Sequence, residues 1–189
     1  MKNVKPRLQE KYEKEVLPAL KKEFGLKNPW EAPRVKKVVV NAGIGGFRDN
    51  KEAVASFTQE LAELCGQRPY ATKARLSEAG FKIKRGDVVG LAVTLRGAKM
   101  WAFLDKLINV ALPRVRDFRG LSEKAFDKSG NYSMGIREHA IFPEVNSGTT
   151  KGIRSFQASV VLDKDDAETN RALLDYLGFP FINKREKGE

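Results

Sequence analysis

The side chains in this chain most suited to chemistry are its cations, and the chemistry is neutralisation of phosphate. Lys73, Arg75, Lys82, Lys84 and Arg85 fall in one stretch whose only acid is Glu78. Arg114, Arg116 and Arg119 form a later run with Phe118 inside it. Cations at this density displace the counterions of a nucleic acid and bind it in a salt-dependent way. Between the two groups lies VVGLAVTL, residues 88–95. Val89, Leu91, Val93 and Leu95 alternate onto one face, leaving Gly90, Ala92, Thr94 and then Arg96 on the other. Small side chains followed by a guanidinium offer a polyanion backbone close approach. A second run, Val35 to Asn41, puts Val38 and Val40 on one face and Lys37, Val39 and Asn41 on the other. Asn41 and Thr94 can hydrogen-bond a ribose or a base edge, and a contact to the 2′-hydroxyl tells RNA from DNA. Arg114, Arg116 and Arg119 fit phosphate contacts or pairing with acids equally well, and Asp117 lies within their run.

Other chemistries find little support. His139 is the only histidine and Cys65 the only cysteine, which excludes a zinc site of the common Cys/His spacing. There is no Gly-x-Ser-x-Gly elbow and no Walker loop. Gly43-Ile44-Gly45-Gly46 follows a strand as a dinucleotide fingerprint would, but Arg48 stands where the third glycine belongs, so it reads as a tight turn. Carboxylate pairs occur only in charged helical turns. Catalytic residues and cofactors are therefore expected to be none, and so is a metal. The basic residues lie on loops and strands rather than on one helical face, which argues against a membrane partner.

The elements that would hold these residues follow from periodicity. A first helix carries Val4, Leu8, Tyr12, Val16 and Leu20 at four-residue spacing, with Pro18 expected to kink or divide it. Asp49 or Asn50 caps a second helix that runs to about Cys65 with Val54, Phe57, Leu61 and Leu64 buried. Tyr70 to Thr72 is a short strand. Residues 72–86 form a long basic arm, or a hairpin with Phe81 and Ile83 docking its root. Ala98 to Leu112 is the most apolar helix, with Trp101 and Phe103 in the core. Ser133 to His139 and Ile153 to Leu162 are further strands, and a last helix runs from near Asp165 to Leu177 with Gly178 as its cap. The fold class is α+β, a mainly antiparallel sheet with helices on one face and a protruding basic loop. Lys37, Asn41, Thr94 and Arg96 are expected on the exposed face. The 189 residues carry 35 Lys and Arg against 24 Asp and Glu, a net charge of +11, which points to a polyanionic partner: RNA, DNA or an anionic membrane. No apolar run approaches a membrane span, the N-terminal residues do not resemble a signal peptide, and one cysteine suits a reducing cytosol.

APRVKKVVVNAGIGG, GQRPYATKA, GFKIKRG, VTLRG, MWAFLDKLINVALPRVRDFRGL, FDKSGNYSMGIREHAIFPE and LLDYLGFPF occur in this order. The run LINVALPRVRDFRGL followed by GNYSMGIREHAIFPE is highly specific. On these motifs the chain resembles the bacterial large-subunit ribosomal protein five family, and the resemblance covers almost all of it. It implies one domain over residues 1–189 with 72–86 protruding, a non-enzymatic role, and a cytoplasmic, ribosome-bound protein. It implies 5S rRNA, 23S rRNA and P-site tRNA as partners, with small-subunit ribosomal protein thirteen across a bridge. Asn41, Gln67 and Thr94 match positions that hydrogen-bond 5S rRNA, with Arg96 beside them. The arm, with Lys73, Arg75, Ser77, Lys82, Lys84 and Arg85, matches the loop that reaches the tRNA elbow. The bridge falls around Glu144, Asn146, Thr149 and Lys151. The chain departs from the family at Leu76 and Glu78, where the arm usually begins with more basic residues, and over Asn146 to Thr150. The alternative reading is an extraribosomal RNA-binding or RNA-chaperone module on the same fold.

Overall fold

The computed structural model describes residues 5–145 and 152–182. The chain is α+β, with a five-stranded antiparallel sheet and helices packed nearby. The strands are β1 (Val35–Gly43), β2 (Tyr70–Lys73), β3 (Val88–Leu95), β4 (Tyr132–Ile136) and β5 (Phe156–Leu162). Their order across the sheet is β2-β3-β1-β5-β4. β3 therefore lies between β1 and β2, and β1 between β3 and β5, as in a split β-α-β arrangement. The chain divides into two compact units whose boundaries fall inside β1, β4 and β5 and at the end of β3.

The first unit holds residues 1–38, 96–134 and 159–189. Its helices are α1 (Arg7–Lys11), α2 (Leu17–Glu23), α4 (Gly97–Lys106) and α5 (Ala167–Leu177). Pro18 and Pro113 act on the backbone in the same way. Each lacks an N–H for the carbonyl four residues earlier, and each ring crowds that carbonyl. The helix answers by widening one turn upstream: Tyr12–Val16 and Leu107–Ala111 are π-helical, with Leu17 N–H bonded to the Tyr12 carbonyl and Leu112 N–H to that of Leu107. The expected division at Pro18 is thus a wide turn before it. Tyr12 packs on Trp101 in a tilted pair with 5.6 Å between ring centroids, and Trp101 and Phe103 are both buried. Asp166 caps α5 by accepting from the N–H groups of Glu168 and Thr169.

The second unit holds residues 39–95 and 135–158, with α3 (Lys51–Cys65) packed on β3. Asn50 caps α3 by accepting from Ala53 N–H at 3.1 Å, and Gly66 closes it in the left-handed conformation. Two strand expectations need trimming. β4 ends at Ile136 rather than His139, because His139 turns into a 3₁₀ segment and its N–H bonds to the Arg154 carbonyl at 3.0 Å. β5 starts at Phe156 rather than Ile153, which is exposed.

Candidate nucleic-acid interface

Alternation along β1 buries Val40 and Ala42 and leaves Asn41 exposed, with Val39 half-buried beside it. Along β3 it buries Leu91, Val93 and Leu95 and leaves Thr94 half-buried. β2 pairs with β3 so that Tyr70 faces Ala92 and Thr72 faces Gly90. Tyr70, Thr72 and Thr94 thus share the side of the sheet away from the buried valines and leucines. Gln67 is half-buried, and its Nε2 donates to the Thr94 carbonyl at 3.3 Å. The structure so joins two of the matched polar residues and keeps the third, Asn41, open to solvent.

One expectation about this face is corrected. Gly90 and Ala92 are not a bare surface; both are buried. A Cβ on Gly90 would lie 2.7 Å from Thr72 Oγ1 and 3.0 Å from the Ala42 carbonyl oxygen. Small residues here make room for the neighbouring strands, not for a ligand backbone. What the face does offer is Asn41 and the Tyr70 ring, which is 58 % exposed. The tyrosine adds a flat apolar surface that can stack a base. Its strand periodicity was readable, but the face it would take was not.

The cations of the first unit are placed individually. Lys37 is half-buried on the outer side of β1. Arg96 is exposed but stands at the N-cap of α4, past the end of β3, so it is not part of the strand face. Arg114, Arg116 and Arg119 are all exposed, and among the described residues none of them is in an ion pair. Asp117, the acid expected to compete for them, is itself exposed, with φ of 53°.

The arm is an ordered extension of the β2–β3 hairpin. Ala74 N–H bonds to the Asp87 carbonyl at 2.8 Å, and Gly86 N–H returns to the Ala74 carbonyl at 3.0 Å. Further out, Glu78 and Ile83 form an antiparallel bridge. Ser77 Oγ accepts from Arg85 N–H at 2.9 Å, which makes it a structural part of the arm. Lys82 adopts a left-handed conformation, and its carbonyl accepts from Arg48 Nη2 at 2.6 Å. Lys73, Arg75, Lys82, Lys84 and Arg85 are exposed. The docking of Phe81 in the alternative hairpin reading does not occur: Phe81, in the 3₁₀ turn Ala79–Phe81, is 76 % exposed, and Leu76 is 81 % exposed. Ile83 alone is half-buried.

The residues that first suggest catalysis are interior. His139 is 1 % exposed, its Nε2 is 2.8 Å from Glu60 Oε2, and its ring meets Phe57 edge-on. Arg154 is also buried, with its guanidinium 3.8 Å above the Phe47 ring. No sequence signal marked Arg154 as buried. Cys65, the last residue of α3, is buried. Among the described residues no group of three or more His, Cys, Asp or Glu could hold a metal ion. Of the bridge residues, Glu144 is exposed, while Asn146, Thr149 and Lys151 lie outside the described residues.

Comparison with known proteins decides the family. The profile described as ribosomal protein L5 matches residues 28–84, and the profile of the same family's C-terminus matches residues 88–181. The chain belongs to the ribosomal protein L5 family. It is 50 % identical to large ribosomal subunit protein uL5 of Synechocystis over 175 residues, 93 % of this chain and 97 % of that relative. It is 48 % identical to uL5 of Clostridium tetani over 178 residues, 94 % and 99 % of the two chains. With uL5 of Roseiflexus castenholzii it shares 46 % over 176 residues, 93 % and 98 %. As an L5-family member the chain is a structural, RNA-binding component of the large ribosomal subunit rather than an enzyme, ribosome-associated in the cytoplasm.

Proposed function

We propose that the chain binds 5S rRNA through the outer side of its sheet, with Asn41, Gln67 and Thr94 as the polar contacts. The observation that supports this most is the Gln67–Thr94 hydrogen bond, together with an exposed Asn41. It fixes the Gln67 amide against the backbone of β3, among strands that carry no acids. Tyr70 supplies a stacking surface, and Lys37, Arg96, Arg114, Arg116 and Arg119 supply phosphate contacts to 5S or 23S rRNA. The arm, with Lys73, Arg75, Lys82, Lys84 and Arg85 exposed along it, touches the P-site tRNA. The segment from Glu144 to Lys151 bridges to small-subunit ribosomal protein thirteen. Oxidative footprinting of the full chain with and without 5S rRNA tests the first of these readings. Tyr70 should be protected in the complex while Phe81, on the arm, stays reactive. Protection of Phe81 with Tyr70 unchanged would place the 5S contact on the wrong element.

A further inference from the structure

Trp30 is 73 % exposed. Tryptophan is large and highly buried on average, so an indole left in solvent needs a reason. Its backbone is not loose. Asn28 caps the 3₁₀ turn Pro29–Glu31, its side chain accepting from Trp30 N–H at 3.0 Å, while Glu31 Oε2 accepts from Asn28 N–H. Pro29 fixes the first position of that turn. The ring is held as well. The Arg34 guanidinium lies 5.3 Å from its centroid. Arg34 is anchored in turn by Asp163, whose carboxylate accepts from Arg34 N–H at 2.7 Å and from Nε at 2.9 Å. A capped turn, a guanidinium anchored near the ring and an indole 73 % exposed make an aromatic platform open to a partner.

We propose that Trp30 stacks an unpaired nucleobase of ribosomal RNA, in a contact that uses none of the residues of the sheet face or the arm. An indole accepts a base of any identity, because every base has a π-face. Arg34 near the ring adds positive potential, with exposed Lys27 and Lys36 nearby in sequence to meet the flanking phosphates. The inference rests on the chain being a ribosomal-RNA-binding protein and not on which residues contact 5S rRNA. The same surface without cations around it would suit a protein partner; a chain of net charge +11 favours the nucleic acid.

Tryptophan fluorescence tests this directly, since the chain has two tryptophans and the other, Trp101, is buried. The probes are a ten-nucleotide oligoadenylate and an inorganic polyphosphate of equal charge, each titrated into the full chain. Oligoadenylate should quench the exposed indole and polyphosphate should not. Trp30→Ala should abolish the quench and lower oligoadenylate affinity at least about fivefold, with Trp30→Phe intermediate. 5S rRNA affinity should change less than about twofold for Trp30→Ala, since this is a surface position and not one of the residues proposed for that contact. Equal quenching by both probes, or none by either, would overturn stacking. Ultraviolet cross-linking in assembled large subunits gives the second arm: a Trp30 adduct on rRNA supports the proposal, and an adduct on a ribosomal protein, or an indole still open to solvent, overturns it. Loss of 5S binding in an Asn41, Gln67 and Thr94 variant bears on the sheet face alone and leaves these readouts unchanged.

Discussion

At the residue scale, glycine and arginine carry the clearest consequences. Gly90 sits where a side chain would meet Thr72 Oγ1 at 2.7 Å and a carbonyl oxygen at 3.0 Å. The hydroxyl can rotate away but the carbonyl belongs to the backbone, so Gly90→Val should destabilise by about 1–3 kcal/mol. Thermal melting checks this, with an expected fall of about 2–4 °C per kcal/mol for a chain of this size. Arg114, Arg116 and Arg119 have no ionic partner among the described residues and should be available to phosphate. Replacing one with alanine should lower the slope of log affinity against log salt by about one for each phosphate that the arginine neutralises. An unchanged slope for all three would remove them from the RNA surface. Periodicity and residue type put Asn41 and Thr94 on the side of the sheet turned from the core, and Trp101 in the core. They did not identify the burial of Arg154 or the Gln67–Thr94 bond, because both depend on segments distant in sequence coming together.

At the element scale, the arm and the turn before β4 behave as local structures. The hairpin root, Ala74 with Asp87 and Gly86, is hydrogen-bonded independently of the tip. Deleting Leu76 to Lys82 should therefore leave 5S rRNA affinity within about twofold, as for other surface changes, while weakening P-site tRNA contact. Joint loss of both would show that the arm is needed for the fold. Ahead of β4, the Asp127 carboxylate accepts from Asn131 Nδ2 at 2.9 Å, Ser129 N–H at 2.9 Å and Asn131 N–H at 2.8 Å. The Asn131 side-chain bond, helped by these backbone N–H groups, holds its pKa below the ordinary value of 3.8. A depressed carboxylate stabilises the fold above its unfolded pKa, and that stability is lost as pH falls through the lower folded value. The melting difference between the chain and its Asp127→Asn variant should be full at pH 7 and shrink below about pH 4. β3 was legible end to end, since its apolar residues alternate regularly and it lies between the Gly86-Asp87 turn and the Arg96-Gly97 start of α4. The arm was legible as basic and long, yet its exposed Phe81 was not, because an aromatic beside an isoleucine looks like a docking pair until the backbone shows where the turn points.

At the scale of the whole molecule, an excess of eleven positive charges supplies non-specific attraction for any nucleic acid, and fixed polar groups must supply the choice among them. The charge balance was plain from composition, and the α+β class from the sequence of short alternating strands and helices. The widened turns before Pro18 and Pro113 were not, because proline announces a missing hydrogen bond without saying how the helix accommodates it. Under the proposed function, specificity resides in the outer side of the sheet. The most direct test is the equilibrium affinity of the full chain for 5S rRNA, at fixed salt, with Asn41, Gln67 and Thr94 all changed to alanine. Three hydrogen bonds at about 1 kcal/mol each predict a loss on the order of 100-fold in a variant that melts normally. A folded variant that binds 5S rRNA as tightly as the parent would contradict the assignment of that face.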